Sequence, residues 1–359
     1  MKVKEQLLSL TAYAPGKTTE EVKREYGLDK IVKLASNENP YGCSPAVQEA
    51  ITGSIPSYAI YPDGGAKELR AIVAQHLGIE EDQLIFSAGL DEMIQMLSRA
   101  LLDENSNTVM AKNTFPQYRH HATIEKAEIR EVPLKDGRHD LEKMAKQIDE
   151  MTKIVWICNP NNPTGTYTTA EELENFMACV PGNVLVVMDE AYYEFVTAKD
   201  YPQTIPLLEK YRNIMILRTF SKAYGLAAFR IGYGIGESSF LKQLEVARLP
   251  FNTSSLAQAA AIAALQDLEF VEECVIQNVN ELDRMYEIFN KLGIEYYPSQ
   301  GNFVFIQVPG KTSKEVFQHL IERGFIVRPF PDGVRITVGT DEDNEKLLKV
   351  MEEMILVTL

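Results

Sequence analysis

The segment at residues 219–234, TFSKAYGLAAFRIGYG, places Lys222 among small and apolar residues just after a strand-like run. A lysine is seldom buried without a role, because removing water from its ammonium group costs on the order of several kcal/mol. In such surroundings the pKa of the amine falls, and a neutral amine can attack a carbonyl carbon. Lys222 is therefore a candidate nucleophile. A lone Ser-Lys pair would more often be an exposed loop, but Arg230 in the same glycine-rich segment favours a functional site.

Two other polar residues follow apolar runs that resemble buried strands. Asp189 ends the run VLVVMD, and ligands of α/β proteins gather at the carboxyl ends of strands. A buried carboxylate needs a cationic partner, which a protonated pyridine nitrogen would supply; the alternative is an Asp that caps a helix. Asn162 lies in NPNNPTG (159–165), where prolines and a glycine make a rigid turn. Its amide could hydrogen-bond a ring oxygen, although such turns are also common without any function.

A glycine turn that leads into a helix, SAGLDEM (87–93), is a candidate anion site. The backbone amides at a helix N-terminus are free to bind a negative group such as a phosphate. Gly89, Leu90 and Asp91 could hold a phosphate there, assisted by Ser221 and Arg230.

Two arginines near the C-terminus are candidates for binding a substrate anion. Arg335 lies in the strand-like GVRITVG, and Arg328 lies in IVRPF before a turn. Either one alone could face solvent. Together they suit a phosphate, which offers three oxygens and roughly two negative charges.

Composition limits the kinds of partner. The chain has 359 residues, 45% hydrophobic and 24% charged, which is typical of a folded protein with more than one compact domain. A net charge of −15 argues against nucleic acid and anionic membranes, so an anionic substrate would need a local positive site. The four cysteines show no metal-binding spacing, and no apolar run suggests a signal peptide or a membrane span. We expect a cytoplasmic enzyme without a metal.

The apolar pattern predicts the elements that position these residues. Five short runs (NTVMA, EIREV, KIVWIC, NVLVVMD and NIMILRT) alternate with helix-like stretches, which predicts a parallel, doubly wound α/β sheet covered on both faces. After about residue 250, a long helical stretch precedes mixed strands and helices, typical of a smaller α+β domain. We expect an N-terminal arm (1–40) packed on the small domain, a large domain (41–250) and a small domain (251–359).

In this order and spacing, the motifs resemble the class I and II aminotransferases, which are pyridoxal 5'-phosphate (PLP) enzymes of fold type I. The similarity extends from about residue 10 to the end and is greatest to the histidinol-phosphate aminotransferases. The supporting segments are YAPGK (13–17), LASNENPYG (34–42), YPDGG (61–65), NPNNPTG, DEAYYEF (189–195), TFSKAYGLAAFRIGYG and VRITVGT (334–340).

The resemblance implies roles for the candidate cofactor residues. Lys222 would carry PLP as a Schiff base and move a proton, and Asp189 would pair with the pyridinium nitrogen. Asn162 and Tyr192 would hydrogen-bond the phenolate oxygen of PLP, and Phe115 would stack on its pyridine ring. The phosphate would be held by Leu90, Asp91, Ser221 and Arg230, with Tyr61 reaching in from the neighbouring subunit of a homodimer.

The resemblance also implies a substrate site. Arg335 would bind a carboxylate, and with Arg328 it would bind the phosphate of L-histidinol phosphate in the pocket that also takes 2-oxoglutarate. Asn37 and Tyr13 are candidate lid contacts, although Tyr13 could simply be a packing residue. The implied ping-pong reaction of histidine biosynthesis yields imidazole-acetol phosphate and L-glutamate.

Three alternatives remain open at this point. An aromatic amino-acid aminotransferase needs only a ring pocket and the carboxylate site at Arg335. A PLP-dependent decarboxylase of a phosphorylated amino acid has the same fold and motifs. A binding or regulatory module without turnover is disfavoured, because Lys222, Asp189, Asn162 and Tyr192 are all retained.

Overall fold

The computed structural model describes residues 2–12, 16–53 and 59–356. Within these ranges the strands are β1 (Val32–Lys33), β2 (Leu84–Ser87), β3 (Asn107–Ala111), β4 (Glu128–Val132), β5 (Thr152–Cys158), β6 (Leu185–Asp189), β7 (Ile214–Thr219), β8 (Gly232–Ile235), β9 (Glu295–Tyr297), β10 (Phe303–Gln307), β11 (Phe325–Ile326), β12 (Arg328–Phe330) and β13 (Gly333–Thr337). The helices are α1 (Thr19–Tyr26), α2 (Pro45–Gly53), α3 (Lys67–Leu77), α4 (Leu90–Leu101), α5 (Gln117–Ile124), α6 (Leu141–Ala145), α7 (Ala170–Met177), α8 (Leu207–Lys210), α9 (Ser238–Leu244), α10 (Ser255–Gln266), α11 (Leu268–Leu292), α12 (Ser313–Ile321) and α13 (Asp341–Leu356).

A seven-stranded sheet with the order β2-β8-β7-β6-β5-β3-β4 forms the larger unit. Strands β4, β3, β5, β6 and β7 are parallel neighbours, whereas β8 runs antiparallel to both β7 and β2. The predicted mostly parallel α/β sheet is therefore confirmed. Strand β8 was not predicted, because four residues that include two glycines give no strand-like apolar pattern.

Both faces of this sheet are buried, as the continuous apolar runs predicted. Along β5, Ile154 and Trp156 belong to one hydrophobic core, and Val155 and Ile157 belong to the other. Alternate side chains of a strand point to opposite faces, so each core lies against one face of the sheet. Helices α4, α5 and α9 cover the first face, and α2, α3, α7 and α10 cover the second.

The smaller unit is built on a four-stranded antiparallel sheet with the order β12-β13-β10-β9. Val304 and Ile336 from this sheet pack with Phe289 of α11 and Leu347 of α13. The N-terminal segment joins this unit, since β1 pairs in parallel with β11 and Val22 packs on Ile321 and Ile326 of the C-terminal segment. The first residues instead lie on the larger unit, where Gln6 donates to the carbonyl of Ile124 at 2.9 Å.

The expected domain boundaries stay predictions, and one feature of the packing argues for moving the second. Helix α10 lies beyond residue 250, yet Ala257, Ala260 and Ala264 are part of the core of the larger sheet. Its small side chains allow close approach to α2 and α3. The chain passes to the smaller unit along α11, not at residue 250.

The carboxyl ends of four strands meet at one edge of the larger sheet. Strands β5, β6 and β7 are parallel, and β2 has the same direction because both β2 and β7 are antiparallel to β8. The segments that follow these ends carry Gly89, Asn162, Tyr192 and Lys222. Because β8 begins at this same edge, Arg230 also lies there. The fold thus gathers the residues that the motifs singled out.

Candidate active site

Lys222 follows the end of β7 and is half-buried. Its Nζ donates to the carbonyl of Ser36 at 3.0 Å and lies 5.8 Å from the centre of the Tyr192 ring. Burial, together with the positive charges of Arg335 and Arg230, lowers the pKa of Lys222 from 10.5 to about 8. The amine can therefore lose its proton near neutral pH, as a nucleophile requires.

The hydroxyl of Tyr192 is the centre of a buried polar network. It accepts hydrogen bonds from the amide of Asn37 at 2.9 Å and from the amide of Asn162 at 3.3 Å. A phenol oxygen has two lone pairs, so these bonds leave the hydroxyl proton available for a third partner. Burial raises the pKa of Tyr192 to about 12, which keeps that proton in place at neutral pH.

Arg335 fixes the orientation of Asn162. Its Nη1 donates to Oδ1 of Asn162 at 2.6 Å, which turns the amide nitrogen of that residue toward Tyr192. Its Nη2 donates to the carbonyl of Ala35 at 2.5 Å. One side-chain hydrogen bond, from Arg335 to Asn162, thus links the predicted substrate arginine to the predicted cofactor residues.

Asp189 ends β6 and is 3% exposed. Its Oδ2 accepts from the hydroxyl of Tyr118 at 2.5 Å, and its Oδ1 accepts from the amide of Ala191 at 3.1 Å. Burial raises the pKa of Asp189 to about 6 in spite of these two bonds. A buried carboxylate with a raised pKa is an acceptor for a cation that the chain itself does not supply.

Tyr118 was missed by the sequence reasoning. It lies one turn after Phe115, in the segment NTFPQY, and the Phe115 ring meets its edge at 5.7 Å between centres. The Tyr118 ring also stacks on Trp156 at 4.7 Å, which holds its hydroxyl against Asp189. The segment pointed to Phe115, but its second aromatic residue gave no separate signal.

The residues predicted to bind an anion lie together at the start of α4. Gly89 adopts a φ of +80° before the helix, and Arg230 Nη1 lies 3.4 Å from Ser221 Oγ. Arg230 Nη2 lies 4.0 Å from a carboxylate oxygen of Asp91. A Cβ atom on residue 89 would lie 2.3 Å from Arg230 Nη2, so glycine is needed for the arginine to pack against this turn.

The two C-terminal arginines are directly opposite each other. Arg328 of β12 pairs with Arg335 of β13 in the antiparallel register, and Phe305 of β10 pairs with Arg335 on its other side. Residues paired across antiparallel strands point to the same face. Arg335 also lies 5.9 Å from the Phe330 ring, measured from its guanidinium carbon. The result is one face with two positive charges beside aromatic rings.

One predicted residue, Tyr61, is not brought into this site by the single chain. Tyr61 is 77% exposed and stacks on Phe251 at 4.7 Å. Tyr13 lies outside the described residues. Asn37 lies beside the site, where its amide donates to Tyr192 and accepts from Thr337. Its contact with a substrate stays a prediction.

The arrangement fits PLP in each part of that molecule. Lys222 offers a neutral amine for the aldehyde, Asp189 an acceptor for the ring nitrogen, and the Gly89 turn with Arg230 a cradle for the phosphate. Among the described residues, no cluster of His, Cys, Asp and Glu could hold a metal ion. In the same part of the chain, no helix has both the length and the apolar character needed to cross a bilayer.

Comparison with known proteins gives the same family as the motifs. The profile of the family described as aminotransferase class I and II matches residues 29–351. Histidinol-phosphate aminotransferase 1 of Bacillus cereus is 59% identical over 99% of this chain and 97% of its own length. Histidinol-phosphate aminotransferase of a Geobacillus species is 59% identical over 99% of this chain and 98% of its own. The crystal structure of histidinol-phosphate aminotransferase from Sinorhizobium meliloti, in complex with PLP, has a TM-score of 0.91 at 27% identity and covers 100% of this chain and 98% of that one.

Proposed function

The chain belongs to the class I and II aminotransferases, and from that membership we propose that it transfers the amino group of L-histidinol phosphate to 2-oxoglutarate. It is a PLP-dependent enzyme of fold type I. The products would be imidazole-acetol phosphate and L-glutamate, a step of histidine biosynthesis. The curated relatives at 59% identity carry the name of this activity.

The observation that carries the choice of donor is the pairing of Arg328 with Arg335. L-histidinol phosphate has no carboxylate, so its anionic group is the phosphate. Two guanidinium groups on one face match three phosphate oxygens better than a single arginine does. The aromatic side chains of Phe305 and Phe330, 5.9 Å apart, offer a surface for the imidazole ring.

When bound, the cofactor withdraws electrons from the substrate α-carbon and holds the amino group between donor and acceptor. Lys222 would hold it covalently, and once the substrate amine has replaced Lys222, the freed Lys222 amine would take and return the proton of the α-carbon. Asp189 would accept a hydrogen bond from the ring nitrogen and keep that nitrogen protonated. Tyr118 orients Asp189 through the bond at 2.5 Å.

Tyr192 and Asn162 hold the oxygen substituent of the ring. The hydroxyl proton of Tyr192 is available because Asn37 and Asn162 occupy both of its lone pairs. Because Arg335 donates a hydrogen bond to Asn162, a change in the anion that Arg335 binds directly affects Asn162 and Tyr192. Phe115 would stack on the ring, and the cluster of Gly89, Leu90, Asp91, Ser221 and Arg230 would hold the phosphate.

The acceptor would use the same arginines. 2-Oxoglutarate has two carboxylates, and a ping-pong reaction requires donor and acceptor to occupy one site in turn. The guanidinium pair can bind either a phosphate or a carboxylate, because both anions present coplanar oxygen pairs to its N–H groups.

The active form would be a cytoplasmic homodimer. Tyr61 stacks on the exposed Phe251, and the sequence neighbours of these two residues include other large exposed apolar side chains, namely Ile60, Val246 and Leu249. Exposed apolar patches of this kind mark protein interfaces. In a symmetric dimer, Tyr61 would be carried toward the phosphate of the neighbouring subunit.

A half-reaction screen tests the proposed donor. The purified enzyme is mixed with L-histidinol phosphate or L-phenylalanine without acceptor, and the visible absorption of the cofactor is followed by stopped flow. We expect conversion about tenfold to a hundredfold faster per unit concentration with L-histidinol phosphate, since a second charged contact is worth about 1.5–3 kcal/mol. Faster conversion with phenylalanine would identify an aromatic aminotransferase. Release of carbon dioxide from a phosphorylated amino acid without acceptor would identify a decarboxylase.

A further inference from the structure

The buried hydroxyl of Thr337 makes two hydrogen bonds to one residue of a distant segment. Its Oγ1 accepts from the backbone N–H of Asn37 at 3.0 Å and donates to Oδ1 of the same residue at 2.9 Å. A reversed Asn37 amide would place its NH₂ group at this position and leave the Thr337 proton without that acceptor, which is costly in a buried site. Thr337 therefore fixes which end of the amide faces it.

The other end of the Asn37 amide faces Tyr192, where Nδ2 donates to the hydroxyl at 2.9 Å. Asn37 is buried and has a φ of +55°, a left-handed backbone conformation that asparagine tolerates better than most residues. Its carbonyl accepts from Nδ2 of Asn302 at 3.1 Å, which holds this backbone in place. The amide orientation that Thr337 sets thus decides that Tyr192 meets a donor and not an acceptor.

Strand β13 orients both amides that bond the Tyr192 hydroxyl. Arg335 and Thr337 are two residues apart in this strand, so their side chains lie on the same face. Arg335 donates to Oδ1 of Asn162 at 2.6 Å. Thr337 makes the equivalent bond to Asn37, so each amide turns its nitrogen toward the hydroxyl. Both lone pairs of the hydroxyl oxygen are then occupied, and its proton points away from the two amides.

We propose that Thr337 is a positioning residue, which acts through Asn37 to keep the Tyr192 hydroxyl a donor to the ring oxygen of the cofactor. This inference rests on the proposed function, in which Tyr192 holds that oxygen. The donor stabilises negative charge on the oxygen, so the proton shared between this oxygen and the Lys222 nitrogen is released at a lower pH. Without the Thr337 hydroxyl, the Asn37 amide can reverse and accept the Tyr192 proton, and this stabilisation is lost.

The pH dependence of the visible absorption of the bound cofactor tests this role without any substrate. Thr337→Val replaces the hydroxyl by a methyl group of similar size and should raise the midpoint of the absorption change by at least about half a pH unit. Thr337→Ser keeps the hydroxyl and should stay within about 0.2 pH units of the parent enzyme. Thr108→Val removes a buried, hydrogen-bonded hydroxyl from β3; it is the control and should leave the midpoint unchanged.

A double-mutant cycle separates positioning from general destabilisation. Tyr192→Phe alone should raise the midpoint by about one pH unit or more, since it removes the donor itself. In that background Thr337→Val should cause no further change, because its effect passes through the absent hydroxyl. The backbone N–H of Thr337 also donates to the carbonyl of Leu34 at 2.9 Å. This bond does not need the side chain, so it holds the N-terminal segment in place in every Thr337 variant.

A second variant carries the test if Thr337→Val is too unstable to purify. Asn37→Asp has an oxygen on both branches, so it keeps its bonds to Thr337 and accepts the Tyr192 proton. It should also raise the midpoint, and by less in the Tyr192→Phe background.

Two results would overturn the role of Thr337: an unchanged midpoint in Thr337→Val, or a shift of equal size with and without the Tyr192 hydroxyl. If Asn37→Asp must stand in for Thr337→Val, the same two results in that variant overturn it. An unchanged midpoint in Tyr192→Phe would overturn the proposed contact of Tyr192 with the cofactor as well. The choice of amino donor affects none of these measurements, because no substrate is present.

Discussion

Arg328 and Arg335 are paired directly across two antiparallel strands, and their side chains share one face of the smaller sheet. Arg335 is 7% exposed and bonds Asn162, while Arg328 is half-buried. Two like charges placed opposite each other in a sheet are unfavourable. An anion between them would remove this repulsion, which explains why a protein with net charge −15 would keep them together.

Arg335→Ala should lower kcat/KM for both L-histidinol phosphate and 2-oxoglutarate by on the order of a hundredfold, because it removes a buried charged contact. Arg328→Ala should act mainly on the phosphate donor, by about tenfold, since a phosphate uses the second arginine more fully than a carboxylate does. Steady-state kinetics with each substrate measure both effects. Arg323→Ala, an exposed arginine of the same unit, is the control. Unchanged KM values in both site variants would eliminate the shared anion site.

The amine of Lys222 should make cofactor capture depend on pH. With a pKa of about 8, about a tenth of the amine is neutral at pH 7, compared with less than about a thousandth for an ordinary lysine. The rate of recombination of the apoenzyme with PLP should therefore rise about tenfold from pH 6 to 7 and level off above pH 8. Stopped-flow absorption measures this rate. Lys222→Arg should bind PLP without a covalent link, so borohydride reduction should leave its cofactor removable by dialysis.

Asp189→Asn should have opposite effects on activity and on the stability of the apoprotein. The folded pKa of about 6 lies above the ordinary 3.8, so the wild-type apoprotein is more stable when Asp189 is protonated. That stability is fully present below pH 3.8 and is lost as pH rises through 6. At pH 7.5 the cofactor-free variant should be up to about 3 kcal/mol more stable than wild type, because each pH unit of pKa difference corresponds to about 1.4 kcal/mol. Urea unfolding of both apoproteins at pH 4.5 and 7.5 checks this.

The second part of the Asp189 test measures the activity of the Asp189→Asn variant with the cofactor bound. Without the carboxylate the ring nitrogen loses its counterion, and kcat should fall by at least about a hundredfold. An Asp189→Asn enzyme with normal kcat, or an apoprotein difference that stays constant with pH, would contradict the assigned role.

The local sequence was sufficient to predict which site residues directly follow the ends of strands. The apolar runs predicted five of the strands of the larger sheet, and the residues just after their ends were correctly expected to lie near one another. This works because parallel strands place all of their carboxyl ends at one edge. Gly89 was predictable for a second reason, since a glycine turn before a helix has a recognisable local pattern.

Contacts between segments that lie far apart in the sequence could not be predicted, because no local sequence pattern marks them. The sequence did not indicate that the amide of Asn37 bonds Tyr192, 155 positions away, and Thr337, 300 positions away. Tyr118 supports Asp189 from 71 positions away, and nothing in NTFPQY marks that contact. Helix α10 belongs to the larger core because its alanines fit against α2 and α3, a property of packing that composition does not reveal.

Gly89→Ala should weaken PLP binding about tenfold to a hundredfold. The new methyl group would lie 2.3 Å from Arg230 Nη2, so the arginine must move away from the phosphate site, and a charge-assisted contact of about 1.5–3 kcal/mol is lost. Equilibrium dialysis of the apoenzyme with PLP measures the affinity. Gly182→Ala is the control, because a Cβ there meets nothing within 4 Å. Equal affinities for the two variants would exclude the turn as the phosphate cradle.

Tyr61 should act in the neighbouring subunit, and mixed dimers can show this. Tyr61→Ala and Lys222→Ala are each expected to be inactive or strongly impaired. In a mixed dimer, the site with an intact Lys222 receives Tyr61 from the Lys222→Ala chain and becomes complete. Unfolding the two variants together and refolding them should therefore restore about a quarter of wild-type activity, since about half of the dimers are mixed and each has one complete site. If Tyr61 served its own chain, every site would lack one of the two residues and no activity would return. Refolding each variant alone gives the baseline, and sedimentation velocity confirms that dimers have formed.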